Sequence, residues 1–314
     1  MLFITNRELK GKKEKLSFVA SNKVSNDLRY CEINYKLNDK DKDFAEIGSN
    51  NLMKKLRDNH KTEIMFYIHG FNNQPFSDIF VNAEKMQNQL TNNGIKHIEI
   101  VPLIWPCDND FGIIKDYMDD QETAKISGAF FSRAISKLLK WQENNMAENK
   151  QCIKRMHMFS HSMGNLVLQE AMNYWAKNYG NGDVPFLFKN IFLVAADIPN
   201  ENLERKEDGY LITQAGKFIF SYFAYDDLAM PASKILNTRK LVFSRRLGHT
   251  GPENMNAVTN NVYAVDCSNF NNVFDKKGHT YFIDKNNKES PAFKHICKVL
   301  NKDKSVFKQR IIEL

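Results

Sequence analysis

Residues 156–168 read MHMFSHSMGNLVL, and the reading of this stretch decides the fold. A short apolar stretch runs into Ser-His-Ser-Met-Gly and continues as a helical pattern, with no ordinary turn between. A strand must therefore reverse into a helix at Ser162. Ser160 and Gly164, two before and two after it, are small, so the two backbones can come close while the central side chain is pushed outward. That is the geometry of a nucleophile elbow, with Ser160 standing where glycine is more usual. Whether Ser162 is a nucleophile depends on partners elsewhere in the chain.

Outward from the elbow, apolar runs bounded by polar turns recur in a regular rhythm. LFIT (2–5), LRYCEI (28–33), EIMFYIHG (63–70), IEIVPLIW (98–105), the run ending at Ser160, IFLVAA (191–196), FIFSYFAY (218–225) and VYAVDCS (262–268) predict eight strands. Phe80, Ala83, Met86 and Leu90 recur at helical spacing. A long helix is expected over 121–143, with Ala124, Phe131, Ile135 and Leu138 apolar. The helix after Ser162 should end near Gly180, and a final helix should cover 290–300. Strands alternating with helices argue for a parallel sheet covered on both faces. Near-continuous apolar runs such as IFLVAA fit strands buried on both sides. The expected fold class is α/β: a mostly parallel eight-stranded sheet flanked by helices on both faces. No repeat or Pro/Ser-rich linker interrupts the 314 residues. A single domain over 1–314 is expected, without a large cap, and small pocket-covering elements are expected at 106–120 and 228–258.

The composition is 42% apolar and 26% charged, ordinary for a globular protein with a sizeable core. Lys and Arg number 44 against 37 Asp and Glu, a formal charge of +7. The surplus is spread out, which fits a solvated surface rather than a nucleic-acid face. Asn- and Lys-rich tracts such as NNLMKK look like compositional bias. Cys31, Cys107, Cys152, Cys267 and Cys297 are scattered and odd in number, so a reducing compartment is expected. The start of the chain lacks the order of a signal peptide, and no run approaches the roughly 18 apolar residues that span a bilayer. A soluble cytoplasmic protein is the expectation.

Acyl transfer by serine needs a histidine to take the proton, a carboxylate to orient that histidine, and donors for the oxyanion. On a sheet carrying a serine elbow, the chain order is serine, acid, histidine. Only His249, His279 and His295 follow Ser162. His279 lies in a loop about ten residues after the strand VYAVDCS, within reach of the sheet's carboxyl edge. His249 precedes that strand, and His295 lies in the final helix, so His279 is favoured. Asp226 and Asp227 end one strand and Asp197 another; Asp266 falls inside the strand VYAVDCS. Asp227 is favoured as the acid, with Asp197 and Asp226 as alternatives. The backbone N–H of Met163, just after the nucleophile, is one expected oxyanion donor, and that of Phe71, after Gly70, is the other. His69, Asn72 and Asn73 would position that loop.

With these residues in view, the chain resembles the α/β-hydrolase superfamily. More narrowly it resembles a bacterial family of serine hydrolases whose substrates are mostly unknown. The resemblance spans nearly the whole chain. It is carried by ITNR (4–7), HGFN (69–72), Trp105-Pro106, Tyr117 with Asp120, SHSMGN (160–165), AADIP (195–199), DLAM (227–230) and GHTY (278–281). It implies an α/β-hydrolase fold and a triad of Ser162, Asp227 and His279. The family's Ala-Ala-Pro-Asp lacks its proline here, which leaves Asp197 open as a structural or substitute acid.

Rival constellations are weaker. His157 and His161 are four apart, but on a strand and turn, where such positions do not converge on a metal. DNDFG (108–112) fails the calcium-loop pattern. No phosphate-binding glycine loop occurs. Neither a metal nor a cofactor is called for. Phe71, Trp105, Phe111 and Tyr117 fall where loops should ring the elbow, and with His69, Gly70, Asn72 and His161 they form the expected pocket. The expected activity is that of a serine hydrolase cleaving carboxylic esters, lipid or acyl esters included, through an acyl-enzyme on Ser162. Thioesterase, acyltransferase or peptidase chemistry would use the same groups, and an inactive scaffold used for binding or regulation is the alternative from another class. The expected partner is a small-molecule or lipid ester. Nucleic acid is not expected, and peripheral membrane contact remains open.

Overall fold

The computed structural model describes residues 1–19, 23–34, 43–107, 113–146, 154–229 and 245–314. Twelve strands are present among these: β1 (Leu2–Arg7), β2 (Leu9–Lys12), β3 (Lys15–Phe18), β4 (Val24–Glu32), β5 (Ala45–Glu46), β6 (Glu63–Ile68), β7 (Ile98–Ile104), β8 (Arg155–His161), β9 (Phe188–Val194), β10 (Gly216–Phe223), β11 (Val262–Asp266) and β12 (Ile311–Glu313). Ten of them form one sheet in the order β12-β11-β10-β9-β8-β6-β7-β1-β4-β5, and β2 and β3 form a separate hairpin. From β12 to β1 every pairing is parallel, while β4 and β5 are added antiparallel at one edge.

Parallel pairing requires crossovers, and these cover both faces of the sheet. The main helices are α1 (Ser49–Asp58), α2 (Phe80–Asn92), α3 (Ile113–Met146), α4 (Gly164–Asn178), α5 (Tyr210–Ala215) and a last long helix, Pro291–Leu300. Strand alternation divides the core. On β6, Met65 and Tyr67 join Phe159, Phe192 and Phe220, packed with Phe80 and Met86 of α2 and with Phe293 and Ile296 of the last helix. Ile64, Phe66 and Ile68 point the other way, toward Leu52 of α1, Phe131 of α3 and Leu168 and Met172 of α4. All six residues of β6 are buried, as a strand covered on both faces requires.

The eight expected strands all occur, and the sheet is wider than expected by β5 and β12. β11 is therefore not the last strand. NNLMKK lies within α1, whose Leu52, Met53 and Leu56 are buried, so a tract that looked like composition alone is an amphipathic helix. The long helix begins at Ile113, eight residues earlier than expected. Tyr117 consequently sits in α3 and not in a loop. Of the two expected pocket-covering pieces, residues 108–112 and 230–244 lie outside the described residues, Phe111 and Met230 among them. The rest of the first piece is Trp-Pro loop and the opening turns of α3. Residues 245–258 form a short helix, Leu247–Thr250, and turns. No helix among the described residues is long and apolar enough to cross a membrane. Cys31, Cys107, Cys267 and Cys297 are buried and form no disulfide among the described residues, and Cys152 lies outside them.

Candidate active site

β8 is central, paired with β6 and β9, and its last residues deliver Ser162 to the carboxyl edge of the sheet. Ser162 has φ 53°, a left-handed conformation that a non-glycine residue adopts only when its surroundings impose it. Those surroundings are backbone hydrogen bonds. Ser162 N–H donates to Val194 C=O at 3.0 Å, and Ser162 C=O accepts from the N–H groups of Asn165 at 3.0 Å and Asp197 at 3.1 Å. The Asn165 side-chain amide adds bonds to Ser162 C=O at 2.9 Å and Ser160 C=O at 3.2 Å. Close approach does the rest. A Cβ on Gly164 would lie 2.5 Å from His69 O, and one on Gly70 would lie 2.8 Å from Ser162 Cβ. Small residues at these positions are thus a steric requirement.

Asp227 follows β10 and is fully buried. Asp226, beside it, is exposed and its Oδ2 accepts from Asn272 Nδ2 at 2.9 Å. His279 follows β11, and its Nδ1 lies 2.7 Å from Asp227 Oδ2. The two loops are tied together by Leu228 N–H donating to Lys277 C=O at 2.9 Å. Asp275 shapes the histidine loop by accepting from the N–H groups of His279 at 3.0 Å and Thr280 at 2.9 Å. Burial disfavours a charged imidazole at His279, but the Asp227 charge and hydrogen bond, with Asp197 and Asp275 behind them, outweigh it and raise its pKa above 6.5. Among the described residues, Ser162 Oγ makes no hydrogen bond, to His279 or any other group. Such bonds are often long before substrate binds.

The other two late histidines lie elsewhere. His249 Nε2 is 2.6 Å from Tyr225 O. His295 is buried, bonds Tyr222 OH at 2.8 Å and is pulled down to about 4 by burial and Lys298. Asp266 ends β11 and accepts from Ser268 N–H at 2.9 Å.

His69 and Trp105 were expected to line a pocket, and the structure corrects this. Both are fully buried, stacked with ring centroids 5.2 Å apart. Trp105 N–H donates to His69 Nε2 at 3.1 Å, which leaves Nδ1–H to donate to Gly70 C=O at 2.9 Å. Trp105 Nε1–H closes the unit on His69 C=O at 2.9 Å. Burial pulls the His69 pKa down to about 3, so the ring is neutral. The pair supports the Gly70–Phe71–Asn72 turn from beneath, and Asn72 itself has φ 57°. The amides of Phe71 and Met163 donate to no acceptor among the described residues. His161 is also buried. It lies 4.8 Å from the His279 ring and 4.9 Å from Phe282, and its Nε2 is 3.3 Å from His279 O. Burial, then the neighbouring His279 charge, lower its pKa well below 6.5, which makes it a neutral wedge behind His279.

Asp197 follows β9. Its Oδ2 accepts from Tyr117 OH at 2.8 Å and its Oδ1 lies 3.3 Å from Arg246 Nε. Asn165, Asp275 and Arg246 are parts of this neighbourhood that sequence reasoning missed. The Asn after SHSMG and the Asp three residues before Gly278 were available signals for the first two. No group of three metal-ligating side chains occurs among the described residues.

A sequence family described as "Alpha/beta hydrolase of unknown function (DUF900)" matches residues 45–295. The chain belongs to this alpha/beta hydrolase family. The match encloses Ser162, Asp227 and His279. No curated protein matches the chain. Among solved structures, it is similar to the phospholipase PlaB from Legionella pneumophila in complex with thio-NAD, at 12% identity and a TM-score of 0.27. That similarity covers 65% of this chain and 38% of the phospholipase.

Proposed function

We propose that this alpha/beta hydrolase is a serine hydrolase that cleaves carboxylic esters through an acyl-enzyme on Ser162. The observation that carries the reading is the 2.7 Å contact of His279 Nδ1 with the fully buried Asp227, on a loop that packs against His161, the residue before the left-handed Ser162. A buried carboxylate accepts from Nδ1–H, which fixes the tautomer whose bare Nε2 can take the serine proton. Ser162 Oγ attacks the ester carbonyl, His279 takes its proton and returns it to the leaving alcohol, and water repeats the cycle on the acyl-enzyme. The free amides of Phe71 and Met163 are the donors for the oxyanion. Removing one such donor costs on the order of 3 kcal/mol of transition-state stabilisation. Thioesters and other acyl groups pass through the same step, and a lipid ester fits the reading without being required by it.

A fluorophosphonate probe tests the proposal. The wild type should be labelled, and Ser162→Ala and His279→Ala should not. Equal labelling of wild type and Ser162→Ala, or none of either, would overturn it and favour a scaffold used for binding.

A further inference from the structure

Arg246 is held in place by its backbone. Asn200 N–H donates to Arg245 C=O at 2.9 Å, Leu247 N–H to Ile198 C=O at 2.8 Å, and Gly248 N–H to Ala196 C=O at 2.8 Å. Arg246 itself bridges Pro199. This short ladder docks residues 245–248 on the turn that follows β9, the same turn whose Asp197 N–H holds Ser162 C=O. The two neighbouring arginines are thereby separated: Arg245 is exposed, and the Arg246 side chain is only 5% exposed.

The buried guanidinium is under-satisfied. Its Nε lies 3.3 Å from Asp197 Oδ1, yet it has no hydrogen-bond partner, so the contact is a charge pairing without alignment. Among the described residues its two terminal nitrogens donate no hydrogen bond, and unlike Nε they are not closed off from solvent. Buried donors are ordinarily satisfied, and a guanidinium carries five of them in a planar fork. Asp197 cannot serve as a second triad acid, because Tyr117 and Arg246 flank its oxygens while His279 is bonded to Asp227. Its place suits a counter-ion that holds one edge of the fork. Arg246 is joined to the elbow through this one residue, since Asp197 N–H donates to Ser162 C=O at 3.1 Å. Asp197 is linked to the Phe71 turn as well, through Tyr117, which bonds its Oδ2 and packs its ring 5.7 Å from that of Phe71.

We infer that Arg246 receives an anionic oxygen group of the substrate, carboxylate or phosphate, so that the preferred substrates are esters bearing a negative charge near the scissile bond. A planar fork with one edge held by a carboxylate matches a second oxyanion in two-pronged fashion on the other. The inference rests on the serine-hydrolase reading above.

Two matched pairs test it. Mono-p-nitrophenyl succinate is compared with p-nitrophenyl butyrate, and 1-acetylglycerol 3-phosphate with 1-acetylglycerol. Spontaneous hydrolysis, which is fast for the succinate because its own carboxylate attacks the ester, is subtracted from each rate, and the kcat/KM values are compared directly. In at least one pair the wild type should prefer the anion by roughly 10- to 100-fold, the scale of a charge-assisted hydrogen bond. The pair showing the preference distinguishes carboxylate from phosphate. Arg246→Gln should bring that ratio close to one, chiefly through KM for the anionic ester, and Arg246→Lys should retain part of it. Wild-type ratios at or below one in both pairs, or a ratio unchanged in Arg246→Gln, would overturn the inference even if neutral esters are cleaved. The wild-type ratio needs no variant to fold. If no ester of either charge is cleaved and Ser162 takes no fluorophosphonate, the underlying reading fails and this inference with it.

Discussion

Replacing Asp227 with asparagine should remove most turnover while leaving the shape of the site. Asp227 is fully buried, with Oδ2 2.7 Å from His279 Nδ1 and Oδ1 accepting from Ala229 N–H at 2.9 Å. A carboxylate here can only accept, so His279 carries its proton on Nδ1. An amide can donate to Nδ1 instead, which favours the tautomer with Nε2–H, and that tautomer cannot take the serine proton. The change also withdraws the negative charge that stabilises the imidazolium. The corresponding change in a serine triad costs on the order of 10⁴ in kcat, or about 5 kcal/mol at about 1.4 per tenfold. The pH profile supplies a second reading. Asp227 is the chief group that raises the His279 pKa against the effect of burial. The base works when neutral, so turnover should climb with pH through that raised pKa. Without the Asp227 charge the pKa falls, and the acid limb should move to lower pH. The assay is kcat/KM for a p-nitrophenyl ester from about pH 5 to 9. Asp226→Asn is the control, since Asp226 is exposed and bonded to Asn272, and it should stay within about twofold. A loss below about tenfold in Asp227→Asn, or an acid limb that does not move, would refute the reasoning.

Other expectations follow from packing and charge. Gly164→Ala forces a Cβ to 2.5 Å from His69 O and 2.9 Å from Ile68 Cγ2, so it should lower stability by about 1–3 kcal/mol or more in urea melts. Glu63, at the far end of the sheet, bonds His157 Nε2 at 2.8 Å and also Arg155. Burial pushes its carboxyl up, but these partners pull it from 4.5 to about 2. A depressed carboxyl stabilises the fold above its unfolded pKa and loses that contribution as pH falls toward the folded value. Glu63→Gln should therefore cost roughly 1.5–3 kcal/mol at neutral pH, and its stability should fall less steeply than the wild type's between about pH 4.5 and 2. His249→Gln should keep ester turnover within about twofold, because its ring serves the Tyr225 carbonyl and not the elbow.

The central sheet was readable because parallel strands buried on both faces are written as continuous apolar runs, EIMFYI and IFLV being examples. The elements that were missed lack that signature. β12 has three residues and its Ile311 is 62% exposed, and β5 has two residues. The β2–β3 hairpin is largely exposed, with Leu16 its buried residue. In α1 only three residues turn inward amid Asn and Lys. The opening turns of α3 hold Asp116 and Asp120, both buried by tertiary contacts that no local pattern announces. In the site, the pairing of Asp227 with His279 could be read along the chain. The choice between Asp226 and Asp227 turns on one residue of backbone rotation, which sends the first to solvent and the second inward. His69 and Trp105 looked like pocket residues because they follow strands; their mutual hydrogen bonds, which bury them, depend on β6 and β7 being neighbours. Arg246 was hidden for a similar reason. Two adjacent arginines read as solvated surface, which holds for Arg245 and fails for Arg246 once its segment docks on the turn after β9.

The central claim is that an acyl group passes through Ser162, and intact-protein mass spectrometry after acid quench of a p-nitrophenyl acetate reaction tests it most directly. The expected result is a transient species heavier by one acetyl group, mapped by peptide digestion to residues 155–172, and absent in Ser162→Ala and His279→Ala. Turnover by the wild type with the acetyl group on another residue, or an acetylated species undiminished in Ser162→Ala, would contradict it.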